Sequence, residues 1–494
     1  MDFLDPKKRK AHTRRLFLGY GLMTVAIGLG AVILLYVASG FGVDRSGNLF
    51  QNGIVFLASS PDQAQVKITN TENTFSKTVV TSDRLTLKAD EYNFQFLKKG
   101  YRPWDRTIEL RGGSVERLVY PLLFPDKLIT TNKKLYNSEP GLVTQSPDKK
   151  KILVQQPNSL GDFDVFNSET PVKQPTSFNL ASSLFPNGAK PERLELVEWA
   201  ENNRHLLVSY KSGKTKNFIL VDYQKPSSSV NLNTTFDLSP TTAVLRDKNP
   251  NAFYFLLPDS RLLGAQLNNK NLGLISKNIV AFDSFGNDTV MYVSAKNSKK
   301  TKKVDVYIKQ NDAVQMLRQL PIDDSYNLDM SVYNDKLFVV AGAKSDDNTY
   351  IYRDPVNAFL RKKTDTELTT RTLRLKNVTR VSFSENSQFI AAQSGQKYDV
   401  YNAEQDRQYR YDISDKMDTG SVASWMDGHR LTFVSKRRLI VFDFDGINKQ
   451  ALVGSSSRTP AMFSPDYSQL FVVASPDSSK NKTALTQTSL VVGD

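Results

Sequence analysis

The chain has 494 residues, 39% of them hydrophobic and 23% charged, with a formal net charge of +14. That length exceeds one ordinary core, so two or more domains are expected, and the composition excludes a disordered chain. The lack of cysteine excludes disulfides, Cys-based zinc sites, iron–sulfur clusters and thiol nucleophiles.

Residues 1–15 read as a basic cytoplasmic tail. Lys7, Lys8, Arg9, Lys10, Arg14 and Arg15 against Asp2 and Asp5 place +4 there and leave +10 over the rest. Such a surplus favours acidic surfaces or polymers, diffusely. Residues 16–39 read as a transmembrane signal anchor. Leu16 to Ala38 is 23 residues without a charge, about 35 Å as a helix, enough to cross a bilayer with some tilt. The basic cluster precedes the span, so the N-terminus is expected in the cytoplasm of a single-pass cell membrane protein, with the bulk outside. Two other readings stay open. Val37 to Gly40, VASG, is a small-residue cleavage site, and Thr13 to Gly19, TRRLFLG, looks like a twin-arginine export signal. Residues 40–50 form a linker.

Residues 51–123 carry strand signals. Tyr92, Phe94 and Phe96 alternate, as do Ile108 and Leu110, with Gly100 and Gly112-Gly113 at turns. Ser60-Pro61 with Ala64, Val66 and Ile68, then Ala89-Asp90-Glu91-Tyr92, then Lys99-Gly100-Tyr101, resemble a PEGA domain, a small β-sandwich-like module of bacterial and archaeal surface proteins. The Pro-Glu-Gly-Ala string of that family is absent, and Lys88-Ala89-Asp90 stands before the Glu-Tyr in place of Pro-Gly. The resemblance implies a surface module without catalytic residues. Tyr101 and Trp104 flank Arg102-Pro103. They either stack on sugars or bases or cap the core of this domain, and the core is favoured because aromatics in small β domains mostly pack.

Residues 124–494 repeat one unit: a weak strand, a polar turn, a strongly apolar strand, then a third strand ending in Asp or Asn. TQSPDKKKILVQQ, EWAENNRHLLVSY, SFSENSQFIAAQ, SWMDGHRLTFVS and MFSPDYSQLFVVA are clear copies. Anchors fall near Ser146, Trp199, Leu245, Phe285, Val332, Phe383, Trp425 and Phe463, roughly 40–50 residues apart, the blade period of propellers. The SPD, SEN and MDG turns resemble the TolB and WD40-like propellers, which implies the fold and says almost nothing of function. The expected fold class is therefore mainly β: an N-terminal transmembrane helix, a small PEGA-like β-sandwich and a β-propeller of about eight blades. Seven is the alternative if the weak copies near Leu245 and Phe285 are misread. Lys127 to Tyr136 is a candidate strand for closing the last blade.

Chemistry is sparse. His205 and His429 both sit at the same hairpin turn of different repeats, which points to turn geometry, and His12 lies in the tail. Asp443 to Asn448, DFDGIN, lacks the acidic ligand that a calcium loop needs at position twelve, which is Gly454. No GxSxG, HExxH, P-loop or GxGxxG is present. No catalytic residue, metal site or cofactor is expected, although carboxylates paired in three dimensions stay open. The basic runs are Lys149-Lys150-Lys151, then Lys299, Lys300, Lys302 and Lys303, then Arg361, Lys362 and Lys363, then Lys436-Arg437-Arg438. They are solvated loops or contacts to an anionic envelope polymer. The candidate contact set is Lys299, Lys300, Lys302, Lys303, Arg361, Lys362, Lys363, Tyr101 and Trp104. The expected role is a non-catalytic, membrane-anchored cell-envelope protein whose propeller binds a protein or envelope polymer, with nucleic acid the less favoured partner. The alternative is an exported hydrolase with carboxylates converging on the innermost propeller strands. A scaffold on the cytoplasmic side is a third reading, if the charge asymmetry fails to set the orientation.

Overall fold

The structure, a computed structural model, describes residues 6–43, 47, 49–170, 174–186, 193–286, 288–360, 369–475 and 482–492. The chain divides into two units, Met1–Lys127 with Val491–Asp494, and Leu128–Leu490.

The first unit starts with a helix over Pro6–Ala38. From His12 to Ala38 it is long and apolar enough to cross a membrane, and none of that window is buried. Phe17, Leu18, Leu34 and Leu35 are 66–74% exposed. Such a surface is unfavourable in water and suits an anchor or a signal sequence. Two four-stranded sheets follow. One orders Phe41–Val43, Leu49–Leu57 and Asp83–Lys88, with Val115–Leu118 parallel to Leu49–Leu57; the other orders Ser76–Val80, Gln65–Asn70, Asp90–Leu97 and Trp104–Leu110. Their inward positions alternate along each strand, as the pleat requires. Val55, Leu57, Leu85 and Leu87 of one sheet and Val66, Ile68, Tyr92, Phe94 and Phe96 of the other form one buried cluster.

This unit extends past residue 123, where the sequence reading ended it. Leu123 N–H donates to Ser60 O, Arg102 N–H to Phe124 O, and Asp126 N–H to Gly100 O, at 2.8–3.0 Å. The chain end returns here too, with Val492 N–H donating to Tyr101 Oη at 2.8 Å.

Among the described residues, the second unit holds eight four-stranded sheets. In the first seven, the strands follow chain order and run antiparallel, as in Val143–Gln145, Lys151–Gln155, Asp162–Asn167 and Thr176–Asn179. The first strands of neighbouring sheets meet: Glu195–Trp199 with Thr242–Leu245, and Ile279–Phe285 with Tyr326–Tyr333, which also meets Arg380–Phe383. The second strands are buried on both faces; Leu206, Leu207 and Val208 are all 0% exposed. Each sheet is thus covered on both sides by its neighbours, which is why these strands read as unbroken apolar runs. Leu153 and Phe163 of the first sheet share a cluster with Leu206 and Val208 of the second. Sheets stacked about an axis through their first strands make a β-propeller.

The turn repeated in the sequence has one geometry. Ser146, Ser384 and Ser464 each donate Oγ–H to the carbonyl-bearing side chain two residues on, Asp148, Asn386 or Asp466, at 2.5–2.8 Å. The same Oγ accepts the backbone N–H of Lys151, Phe389 or Gln469 at 2.9–3.0 Å. Two residues before the second strand, the backbone turns left-handed at Lys149, Ser387 and Tyr467, with φ of 58–61°. A side-chain oxygen satisfies the donors that the tight turn exposes.

The ring closes with a strand from outside the repeat. Thr130–Tyr136 pairs antiparallel with Thr483–Ser489, running from Tyr136 opposite Thr483 to Thr130 opposite Thr488. Asp164, on the third strand of the first sheet and 0% exposed, fastens this closure. It accepts from Tyr136 Oη at 2.9 Å, Gln156 Nε2 at 3.0 Å and Ser177 Oγ at 2.8 Å, and pairs with Lys134 Nζ at 2.7 Å. Asp399 plays the same part between the fifth and sixth sheets, accepting from Arg374 N–H at 3.0 Å, Gln408 Nε2 at 2.7 Å and Arg410 at 2.9 Å.

Asp164→Ala would leave an ammonium and a phenol without their carboxylate, at a cost of about 3–5 kcal/mol. Tyr136→Phe removes one bond while the other donors stay, at about 1–2 kcal/mol. Urea unfolding followed by tryptophan emission should give midpoints in the order wild type, Tyr136→Phe, Asp164→Ala. Equal midpoints would mean that ring closure does not depend on Asp164.

Candidate functional site

The axial first strands carry acidic residues and an arginine that the sequence reading did not single out. Glu198 lies on Glu195–Trp199, Asp283 on Ile279–Phe285, Asp329 on Tyr326–Tyr333, and Arg380 opens Arg380–Phe383. Glu198 accepts Leu245 N–H and Lys248 Nζ from the third sheet. Burial pushes the Asp283 carboxyl up to about 7, and the nearby Asp329 carboxylate adds to it. Burial likewise pushes Asp329 up to about 6, against hydrogen bonds from the Met330 and Phe383 N–H groups and the attraction of Arg380 and Lys248. Burial lowers the Arg380 guanidinium, which Asp329 opposes. Neighbouring carboxyls held near neutrality can exchange a proton, which is the raw material of general acid–base chemistry.

The end of the axis formed by turns between first and second strands is closed. Lys149 Nζ of the first sheet pairs with Glu385 Oε2 of the sixth at 2.7 Å and bonds Tyr467 of the eighth. Tyr467 donates its hydroxyl to the same Glu385 oxygen at 2.6 Å. Burial, then Glu385, holds the Tyr467 phenol well above its ordinary range. Neighbouring turns are also linked: Asp148 N–H donates to Asn203 Oδ1 at 2.9 Å, Glu201 N–H to Lys248 O at 3.0 Å, and Ser331 Oγ lies 2.6 Å from Ser387 Oγ.

This closure corrects one reading of the basic runs. Lys149 is spent inside the closed end, and Lys150 pairs with Glu169 at 3.1 Å. Lys299 and Lys300 sit on the short helix Ser298–Thr301, followed by Lys302 and Lys303. All four are exposed. Lys299, Lys300 and Lys302 fall between the second and third strands of the fourth sheet and Lys303 opens the third, as Lys436 and Arg437 fall between those strands in the seventh. Every sheet runs its second strand in the same sense, so these turns share the end opposite Lys149. Arg361, Lys362 and Lys363 lie outside the described residues.

The two aromatics lie in the first unit. Trp104 is 1% exposed, edge-to-face with Phe96 at 5.2 Å and Tyr120 at 5.7 Å. Its indole face is covered, which corrects its inclusion as a contact residue: it packs the core. Tyr101 is half-buried against the same cluster and accepts the Val492 N–H.

His205 and His429 take equivalent places beside the turns of the second and seventh sheets. His205 lies 3.5 Å from Asp222, and its imidazole is lowered, chiefly by burial. In the DFDGIN stretch, Asp443 ends a strand, and its carboxylate accepts from Asn448 Nδ2 at 2.9 Å within the following turn. Among the described residues no group of three or more His, Cys, Asp or Glu is placed to hold a metal ion.

No protein-family model matches the chain, and no curated protein matches it. Solved structures are similar to it. The Dos1 propeller is 12% identical, with a TM-score of 0.44 over 74% of this chain and 94% of that one. The computationally designed Ika8 protein is 10% identical, with a TM-score of 0.42 over 73% and 98%. The β-propeller domain of Myceliophteria thermophila Cps50 (Swd1) is 10% identical, with a TM-score of 0.38 over 74% and 99%. At this level the propeller assignment rests on the sheet order and the ring closure, and not on the likeness.

The two channel carboxyls set a pH dependence. An unfolded Asp ionises near 3.9, whereas Asp283 and Asp329 keep their protons up to about 7 and about 6. Across that window the native state binds more protons, so the pair's stabilising contribution is greatest at acid pH and is lost as pH rises through those values. Asp283→Asn should therefore melt higher than wild type at about pH 8, with the gap closing toward about pH 5. A gap independent of pH would place the carboxyl in open solvent.

Proposed function

We propose that this chain is a non-catalytic, membrane-anchored envelope protein of a bacterial cell. Its helix Pro6–Ala38 tethers a PEGA-like β module and an eight-bladed propeller that binds a protein or an anionic envelope polymer outside the membrane. The observation that carries this reading is the N-terminal helix: basic residues precede an apolar face that none of the described residues covers, ahead of two folded β units. The PEGA-like assignment draws support from the two sheets that share one core. The blade count draws support from the eight four-stranded sheets. A propeller end is a broad surface of turns on a rigid frame, suited to binding, and Lys299, Lys300, Lys302 and Lys303 supply a cationic contact there.

One observation favours a second reading. Asp283 and Asp329 are carboxyls near neutrality on innermost strands, as an exported hydrolase with an acidic channel site requires. The readings separate by activity: hydrolysis of envelope polymer by wild type and its loss in Asp283→Asn and Asp329→Asn would favour the enzyme.

The absence of native cysteine makes topology simple to test. An impermeant maleimide on intact cells should label Lys214→Cys, at an exposed turn of the propeller, and spare His12→Cys until the membrane is opened. The reverse pattern would put the propeller in the cytoplasm and end the envelope reading.

Polymer contact has its own readout. Full-length protein in detergent should co-sediment with isolated anionic wall polymer, steeply less so as salt rises. Changing Lys299, Lys300, Lys302 and Lys303 to Glu should weaken this about tenfold or more at low salt and leave the melting temperature unchanged. Retention of binding in that variant would remove these lysines from the contact.

A further inference from the structure

A pocket of about 260 Å³ opens between the seventh and eighth sheets, at the end of the propeller away from Lys149. Its apolar wall includes Val422, Phe433, Leu439 and Pro460, and the other lining residues include Arg380, Arg458, Ser421 and Thr459. Among the described residues, no Asp or Glu lines it. Arg380 reaches in from the sixth sheet, and no carboxylate there is hydrogen-bonded to it; its electrostatic neighbour is Asp329 on the axis. Arg458 pairs with Glu139 at 3.2 Å yet stays 63% exposed. Thr459 is only 6% exposed, and its Oγ1 has no hydrogen-bond partner. Ser421 Oγ accepts Val434 N–H at 2.8 Å, which leaves its proton free to donate.

The pocket sets the Arg380 guanidinium and the Ser421 hydroxyl against an apolar wall, which is the complement of a ligand with one anionic end. The planar fork of arginine matches a carboxylate. The volume admits a body the size of one side chain, and Phe433 and Leu439 favour an apolar one.

We propose that this pocket binds a carboxylate carried on a short apolar stem. Arg380 pairs with the carboxylate, Ser421 donates its hydroxyl hydrogen to it, and Phe433 and Leu439 cover the stem. The free end of a peptide and a small organic acid both present this group. The assignment goes beyond envelope binding and holds whether the propeller serves as a binding module or an enzyme.

The test is calorimetric titration of the full chain in detergent with N-acetyl-leucine, its amide, Gly-Gly-Leu and inorganic phosphate. N-acetyl-leucine should bind saturably, and the amide about tenfold or more weaker. Arg380→Gln should weaken the acid about tenfold or more. Ser421→Ala should weaken it about threefold to tenfold. Tighter binding of Gly-Gly-Leu than of N-acetyl-leucine would identify a peptide terminus as the source, and the reverse a free acid. Equal binding of acid and amide, phosphate binding as tightly as the acid, affinity indifferent to Arg380→Gln, or no saturable heat would each overturn the proposal.

Discussion

The second unit depends on one pairing, that of Thr130–Tyr136 with Thr483–Ser489. A row of sheets left open would expose an apolar face at each end and an unpaired strand edge. The closing strand joins positions more than three hundred residues apart and gives the last sheet its fourth strand. Its Tyr136 and Lys134 then reach the buried Asp164 of the first sheet, so closure is secured by hydrogen bonds as well as by packing. Residues across the axis meet only because the ring is shut. Lys149, Glu385 and Tyr467 come from the first, sixth and eighth sheets.

The same residue type does two kinds of work in this frame. Asp164 and Asp399 sit on third strands, fully buried, and each is met by several donors, including one or more from the preceding sheet. Such a carboxylate fastens neighbours and has little left to offer a ligand. Asp283 and Asp329 sit on first strands, beside each other and with fewer donors, and burial keeps their protons on near neutrality. What separates a fastening carboxylate from one pushed up by burial is the number of donors its position brings to it.

Much of the frame was legible in the sequence. The Ser-x-Asp or Ser-x-Asn turn recurs because the serine oxygen must satisfy the same exposed N–H at Lys151, Phe389 and Gln469. The second strands show as apolar runs because they are covered on both faces. Lys127 to Tyr136 stood out as a strand without a repeat of its own. The axial pair did not show, since Asp283 and Asp329 belong to different repeats and meet only across neighbouring first strands. The lysine runs looked alike as strings, yet Lys149 is tied to Glu385 while Lys299 and Lys300 are exposed, a difference set by which turn carries them. Trp104 beside Arg102 left stacking open with the core favoured, and it begins a strand with its ring turned inward onto Phe96. The boundary after residue 123 was missed because Phe124 and Asp126 hold to the first unit through backbone bonds, which leave no mark on side-chain pattern.

The two propeller ends are chemically unequal, and the inequality has a cause in strand direction. Turns between first and second strands are tight, built on a side-chain oxygen, and lie closest to the axis. Their side chains find each other there and neutralise one another, as Lys149 does with Glu385. Turns between second and third strands lie farther out, where neighbouring turns stand apart. Lys299, Lys300, Lys302 and Lys303 therefore stay exposed. At this same end, Arg380 and Thr459 line a pocket with no acidic wall. An anionic ligand approaching the closed end would have to break an ion pair already made. Approaching the other, it meets cations in water and, in the pocket, the Arg380 guanidinium with no acidic residue in the lining.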